Sequence, residues 1–225
     1  MKTLVIIPAY NEQDNIETVV GNLYNNFPDY DFLVINDGST DNTAKILKDN
    51  YSQFLDLPIN LGLAGGFQAG LKFAVDENYD CAIQFDADGQ HHPEYLKELA
   101  EATKDYDIVI GSRFATKKRP KSMRMLGNVL ISGLLKLTCR STIKDPTSGM
   151  RAYNKRMIKE LSNGPNKGPE PDTLAYLIRK KDAKVKEIQV EMSERVAGKS
   201  YINFWKSCEY MARIICSIIL FNNFR

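Results

Sequence analysis

The sequence predicts an α/β protein with a mostly parallel central sheet flanked by helices, and three observations carry that expectation. In the first half, short apolar runs rich in β-branched residues alternate with segments of helical spacing. Each run ends in a cluster of polar residues, glycine or proline rather than in a hairpin turn. The chain has 225 residues, 43% of them hydrophobic, which suits one domain, or a domain with an extension, around a sizeable core.

Residues 4–7 form the first strand run and stop at Pro8. Asn11 and Glu12 follow, and then Ile16, Val19, Val20 and Leu23 recur at helical spacing. Residues 32–35 are the second run. Ser39, Thr40, Asp41 and Asn42 then offer caps for a helix carrying Ala44, Ile46 and Leu47. Residues 65–75 read as a third helix. Residues 82–85 suit a buried strand, residues 93–102 a helix with Pro93 in its first turn, and residues 108–110 a further strand. The second half is less regular. Leu126, Val129, Leu130, Leu134, Leu135 and Leu137 give residues 123–137 a helical pattern. Residues 145–150 are turn-rich, 150–153 strand-like and 163–171 a loop, while 172–179 read as a helix and 185–192 alternate like a strand. No repeat or inter-domain linker is visible, so the expected organisation is one catalytic domain over residues 1–200 with a C-terminal amphipathic helix over residues 201–225.

Thirty basic residues against 28 acidic leave a formal charge of +2, which does not imply a nucleic-acid partner. The local distribution is uneven: Arg113, Lys117, Lys118, Arg119, Lys121 and Arg124 cluster together. Such a run is either a solvated loop or a clamp for phosphate or an anionic membrane surface. The four cysteines form no C-x-x-C pair, and the first strand begins with no secretory signal ahead of it. Reduced thiols in a cytoplasmic protein, without a zinc site, are therefore expected. No apolar stretch reaches the ~18–20 residues that a spanning helix needs. The nearest, residues 210–221, is interrupted by Arg213 and Ser217. It reads either as a helix packed on its own domain or as one lying in a membrane interface, with Trp205, Tyr201, Phe204 and Tyr210 as core or interfacial aromatics.

The chemistry gathers where strands end. The first run leads to Pro8, Tyr10, Asn11 and Glu12, the second to Asp37 through Asp41, and residues 82–85 to Asp86, Asp88 and Gln90. In a parallel sheet these ends share one edge, where ligands bind. One acid there is commonly a helix cap, and three convergent clusters are harder to explain so. The carboxylates of Asp86 and Asp88 are hard oxygen donors suited to Mg²⁺ or Mn²⁺ on a diphosphate. Gly62, Gly65, Gly66 and Gly70 permit either a close nucleotide or tight helix-to-sheet packing. His91 and His92 beside the acids read as loop positions, at least one exposed, rather than as metal ligands.

These motifs, with Gly111-Ser112-Arg113, the stretch from Asp145 to Arg151 and Arg195-Val-Ala-Gly-Lys199-Ser200, resemble family 2 glycosyltransferases of the GT-A fold. Within that family the chain is most similar to dolichol- or polyprenyl-phosphate sugar synthases. The resemblance implies that Pro8, Tyr10, Glu12, Asp37 and Gly66 line the nucleotide site. It implies a metal held by Asp86 and Asp88 with Gln90 beside it, and a phosphate cluster of Arg113, Arg124, Arg195, Lys199 and Ser200. The implied reaction is inverting, metal-dependent transfer of a sugar from a nucleotide-sugar donor to a polyprenyl phosphate, at the cytoplasmic membrane face. A hydroxyl of a lipid-linked glycan, in cell-wall or surface polysaccharide synthesis, is the alternative acceptor. It would need Glu170 or Asp172 as base, although Asp172 reads equally well as the N-cap of its helix. A sugar-nucleotide-binding subunit without catalysis is a third reading.

Overall fold

The computed structural model describes residues 1–51, 53–120, 123–164, 168–193 and 204–221, without the side chains of 123–124, 204–208 and 220–221. Strands β1 (Thr3–Ala9), β2 (Asp31–Asn36), β3 (Phe54–Asp56), β4 (Cys81–Gln84), β5 (Ile108–Ser112), β6 (Arg151–Asn154) and β7 (Val185–Gln189) form one sheet in the order β3-β2-β1-β4-β6-β5-β7. All neighbours are parallel except β6, which runs antiparallel to both β4 and β5. The helices are α1 (Ile16–Asn26), α2 (Thr43–Asn50), α3 (Gly62–Asp76), α4 (Leu96–Ala102), α5 (Met123–Cys139), α6 (Lys155–Ser162), α7 (Pro171–Lys181) and α8 (Phe204–Cys216), the last continued by a π-helical turn (Ser217–Phe221) to make the C-terminal helix.

Side-chain alternation along β1 builds two cores. Leu4 and Ile6 join Phe67, Leu71, Leu161 and Leu174 on one face, while Val5 and Ile7 join Val20, Leu23, Leu47 and Leu99 on the other. Covered on both faces, the sheet reads as near-continuous apolar runs, which is why residues 4–7 and 82–85 look like buried strands. Gly70 serves packing: a Cβ there would lie 2.4 Å from Ile6 Cγ2.

Some sequence expectations shift. Strand β1 does not stop at Pro8 but runs through it to Ala9, paired with β2 along the whole way. The ladder explains how. The Ile6 carbonyl accepts from Phe85 on the β4 side, and the Ala9 carbonyl from Asp37 on the β2 side. Pro8 shares the parity of Ile6, so its missing N–H faces β4, whose pairing already ends at Ile6↔Gln84. Strand β7 ends at Gln189 although the alternation continues to residue 192, because its partner β5 ends at Ser112, opposite Gln189. Helix α3 begins at Gly62, three residues before the expected start, and the short elements β3 and α6 were not anticipated. Helix α7 begins at Pro171 with Glu170 in the N-cap position, so Asp172 lies in the first turn and is not the cap.

The C-terminal helix packs on its own domain. Ile214 and Ile218 are fully buried in the first core, and a Cβ on Gly127 of α5 would overlap the Met211 sulfur. No helix among the described residues is long and apolar enough to cross a membrane. Cys81, Cys139 and Cys216 are free thiols, and burial pushes the Cys81 thiol up to about 12.

Candidate active site

The strand order places β1 between β2 and β4, so the chain winds one way from β1 through β2 and β3, then returns to the other side at β4. This is a topological switch point, where an open sheet leaves a crevice beyond its strand ends. The loops after β1, β2 and β4 meet there.

The β1 and β2 loops are laced together. Asn11, in the left-handed region at φ 55°, donates its amide to Ser39 Oγ at 3.0 Å and accepts from the Thr40 amide at 2.8 Å. The Glu12 amide donates to Thr43 Oγ1 at 2.9 Å, and Asn15 donates to the Glu12 carboxylate at 2.8 Å. Asp41 accepts from both the amide and the hydroxyl of Thr43, a loop-closing role. Asp37 is buried, and its Oδ1 accepts from the Leu61 amide at 2.7 Å while its carbonyl accepts from Asn60. Gly38 follows at φ +65°, where a Cβ would come within 2.6 Å of the Asn60 backbone nitrogen, so only glycine fits. Gly66 stands over Asp37, 3.8 Å from its carboxyl group as measured from an added Cβ. Pro8, Tyr10, Glu12, Asp37 and Gly66 thus belong to one side of the crevice.

Asp86, Asp88 and Gln90 occupy the loop after β4. The Asp88 carboxylate accepts from the Gln90 amide at 3.0 Å, closing a tight turn that Gly89 completes at φ +78°. The Asp86 side chain is 36% exposed, and Gln84 Nε2 donates to its Oδ1 at 3.2 Å. His91 grips the same residue from below: its Nδ1 accepts from the Asp86 amide at 3.0 Å, and its Nε2 lies 3.4 Å from Asp86 Oδ2. An accepting Nδ1 requires the proton on Nε2, which therefore faces the carboxylate. His91 is 6% exposed and packs edge-on against Phe85, whereas His92 is half-exposed and bonds Ser193 Oγ. No pattern in the chain singles out His91 for this role.

The segment from Asp145 to Arg151, whose role the sequence left open, joins this loop to Arg113. A Cβ on Gly149 would lie 2.6 Å from Asp86 Oδ2, so glycine keeps room for that carboxylate. Ser148 Oγ donates to the Gly111 carbonyl. Asp145, fully buried, accepts from the Arg113 amide, Nε and Nη2 at 3.0, 2.7 and 2.8 Å, and from Asn128 at 3.0 Å. That hydrogen bonding raises the Arg113 pKa, with burial opposing it. Arg151, 1% exposed, ties the turn by donating to the Ser148 and Pro146 carbonyls. Arg113 is thus a braced cation rather than a free one.

Glu170 and Asp172 are bonded to the C-terminal helix. Arg213 Nη2 donates to Glu170 Oε1 at 2.9 Å, and Ser217 Oγ donates to Asp172 Oδ2 at 2.6 Å. Burial, then the charge of Glu170, push the nearby Tyr210 phenol up to about 12. The side chain of Arg124, and Arg195, Lys199 and Ser200 entirely, lie outside the described residues. The described chain leading to the last three is pinned at Ser193, whose amide donates to the Gln90 carbonyl at 3.0 Å and whose carbonyl accepts from Gln90 Nε2 at 3.2 Å.

The donor set fits a hard divalent ion on a phosphate. Among the described residues no cluster of three His, Cys, Asp or Glu side chains could hold a metal ion by itself. An ion of this kind needs only one or two carboxylates when phosphates and water complete its shell. The half-exposed Asp86 and the adjacent Asp88 are such a pair.

Known proteins resemble this chain over much of its length. The profile of the family described as Glycosyl transferase family 2 matches residues 4–162. Undecaprenyl-phosphate mannosyltransferase of Micrococcus luteus is 32% identical over 173 residues, 72% of this chain and 70% of that protein. UDP-N-acetylglucosamine–dolichyl-phosphate N-acetylglucosaminyltransferase of Methanococcus voltae is 34% identical over 183 residues, 70% of this chain and 71% of that protein. Glucosyl-3-phosphoglycerate synthase of Mycobacterium tuberculosis, in complex with Mn²⁺, UDP-glucose and phosphoglyceric acid, aligns at a TM-score of 0.73 and 18% identity, covering 100% of this chain and 80% of that one. At that identity the likeness speaks for the fold, the GT-A architecture that the sequence motifs implied.

Proposed function

The chain belongs to glycosyl transferase family 2, and from that premise we propose that it moves a sugar from a nucleotide-diphosphate donor to the phosphate of a polyprenyl lipid. The observation that carries the choice of acceptor is the engagement of Glu170 and Asp172 by Arg213 and Ser217. A sugar hydroxyl needs a base to take its proton, and the two candidate bases are bonded to the C-terminal helix. A phosphate monoester needs none: with a second pKa near 6 it is mostly a dianion at neutral pH.

In this reading the nucleotide lies across the ends of β1 and β2, against Tyr10, Glu12 and Asp37 under Gly66. Asp86 and Asp88 would hold a divalent ion, Mg²⁺ or Mn²⁺, with Gln90 beside them. Such an ion, when bound, neutralises charge that builds on the departing diphosphate. Arg113, braced by Asp145, adds a fixed guanidinium to the same end, and Arg124, Arg195, Lys199 and Ser200 complete the phosphate cluster. An acceptor phosphate oxygen forms the new bond to the anomeric carbon as the bond to the nucleoside diphosphate breaks. The electron pair leaves on the β-phosphate oxygen, and one displacement inverts the centre. The enzyme's task is positioning and charge stabilisation.

The test is release of nucleoside diphosphate from a panel of nucleotide sugars, with polyprenyl phosphate as acceptor. Turnover that requires the lipid phosphate and a divalent ion, and survives Glu170→Gln and Asp172→Asn, supports the reading. Turnover only with a glycan hydroxyl, abolished by either substitution, would give the acceptor site to a base.

A further inference from the structure

We infer that the outer face of α5, rather than the C-terminal helix, is a docking surface for an anionic lipid bilayer. Helix α5 is apolar on both sides. Met125, Ile131 and Leu135 are buried against the domain, as helical spacing requires. The opposite face carries Leu126, Val129, Leu130 and Leu137, which are 53%, 44%, 50% and 81% exposed. At offsets of three, four and eleven residues these four side chains share one stripe three turns long. A helix apolar all round is ordinarily covered on every side, and a contiguous exposed stripe marks a binding face.

The charge around the stripe selects the occupant. From residue 114 to residue 143 the chain holds seven Lys or Arg and no Asp or Glu. Lys117 pairs with Glu191, and Arg119 donates to the Lys144 carbonyl and to Ser132. Lys118, Lys136 and Arg140 are exposed and form no ion pair among the described residues. A second copy of the chain, docked by a two-fold axis through the stripe, would bring these like charges together. An anionic headgroup layer attracts them while its acyl boundary covers the leucines. Among the described side chains of the C-terminal helix, Ile214 and Ile218 are spent on the core, and Ile219 is the one large exposed apolar residue.

The inference takes its setting from the lipid acceptor proposed above, yet it is tested without that acceptor. The probe is partition of the purified protein onto vesicles of phosphatidylcholine, alone or mixed with phosphatidylglycerol, containing no polyprenyl phosphate. Wild type should bind the anionic vesicles, and added salt should release it. Leu130→Glu with Leu137→Glu should weaken that binding about a hundredfold while donor binding, read by nucleotide titration, is unchanged. Lys136→Glu should weaken binding severalfold on anionic vesicles only. Undiminished binding by the leucine double variant overturns the inference. So does loss on Ile219→Glu instead, which would return the role to the C-terminal helix. A concentration-dependent dimer that the same leucine substitutions dissolve without lipid would make the stripe a contact between copies, and overturns it too. Failure of sugar transfer with vesicle binding intact would count against the acceptor reading alone.

Discussion

Two pairs of carboxylates invite a catalytic reading in this sequence, and the structure treats them differently. Asp86 and Asp88 end a central strand at the switch point, in a loop whose backbone is fixed by Gln90, His91 and Gly89 while the Asp86 oxygens stay accessible. Glu170 and Asp172 begin α7, and each is bonded to the C-terminal helix. The same residue types, each pair one residue apart, thus answer to different surroundings. One pair sits in a strand-end loop with the Asp86 carboxylate partly exposed, and the other bonds the C-terminal helix. What distinguishes them is the identity of their partners: backbone amides and an imidazole that fix geometry, against a guanidinium and a hydroxyl that use it up.

The largest effects are expected at the first pair. Asp88→Ala should lower turnover by roughly 10²–10³-fold with the fold intact by circular dichroism, and full activity would dissolve the distinction. Gly149→Ala should cost roughly 10–100-fold, because its Cβ meets the Asp86 carboxylate, and it should raise the Mn²⁺ concentration needed for nucleotide binding in a calorimetric titration. His91→Ala should act in the same direction with a smaller effect, roughly tenfold on that metal requirement, since the Asp86 amide loses its acceptor.

At the second pair the expected signature is stability. Glu170→Gln and Asp172→Asn should together change turnover less than about tenfold while lowering the melting temperature by a few degrees, on the order of 2–4 °C per kcal/mol for a domain of this size. Asp107 supplies a control far from both pairs. Burial acts to raise its pKa, but hydrogen bonds from Arg156, the Lys184 amide and Asn154 outweigh it and hold the carboxyl below its ordinary value. A depressed folded pKa contributes stability in full above the unfolded value of about 3.9 and loses it as pH falls through the folded one. Asp107→Asn should therefore lower stability near neutral pH, and its deficit against wild type should shrink below about pH 4, as read by denaturant melts across pH.

Much of this was legible in the sequence where period and punctuation agree. Strands β1, β2, β4 and β5 follow from apolar runs, with polar clusters beyond them, although β1 carries on through Pro8 to Ala9. The meeting of the loops after β1, β2 and β4 was legible for the same reason, since strand ends in a parallel sheet share an edge. Strand β3 was not, because three residues carry no period. Helix α6 did leave a signal, in Met157, Ile158 and Leu161 behind an Asn154 side chain that caps the Met157 amide at 3.0 Å. What no pattern could supply is cross-chain: the grip of His91 on Asp86, the room Gly149 leaves, and the bracing of Arg113 by an aspartate 32 residues away. The fate of α8 belongs to the same class. Its apolar stripe reads alike for a membrane and for a core, and among the described residues Ile214 and Ile218 are buried in the core.

The most direct measurement compares the two pairs in one assay: nucleoside diphosphate release onto polyprenyl phosphate by wild type, by Asp88→Ala and by the Glu170→Gln, Asp172→Asn double variant. Wild type should show divalent-dependent turnover, Asp88→Ala near-complete loss of it, and the double variant retention within about tenfold. Loss in the double variant with Asp88→Ala still active would contradict that expectation.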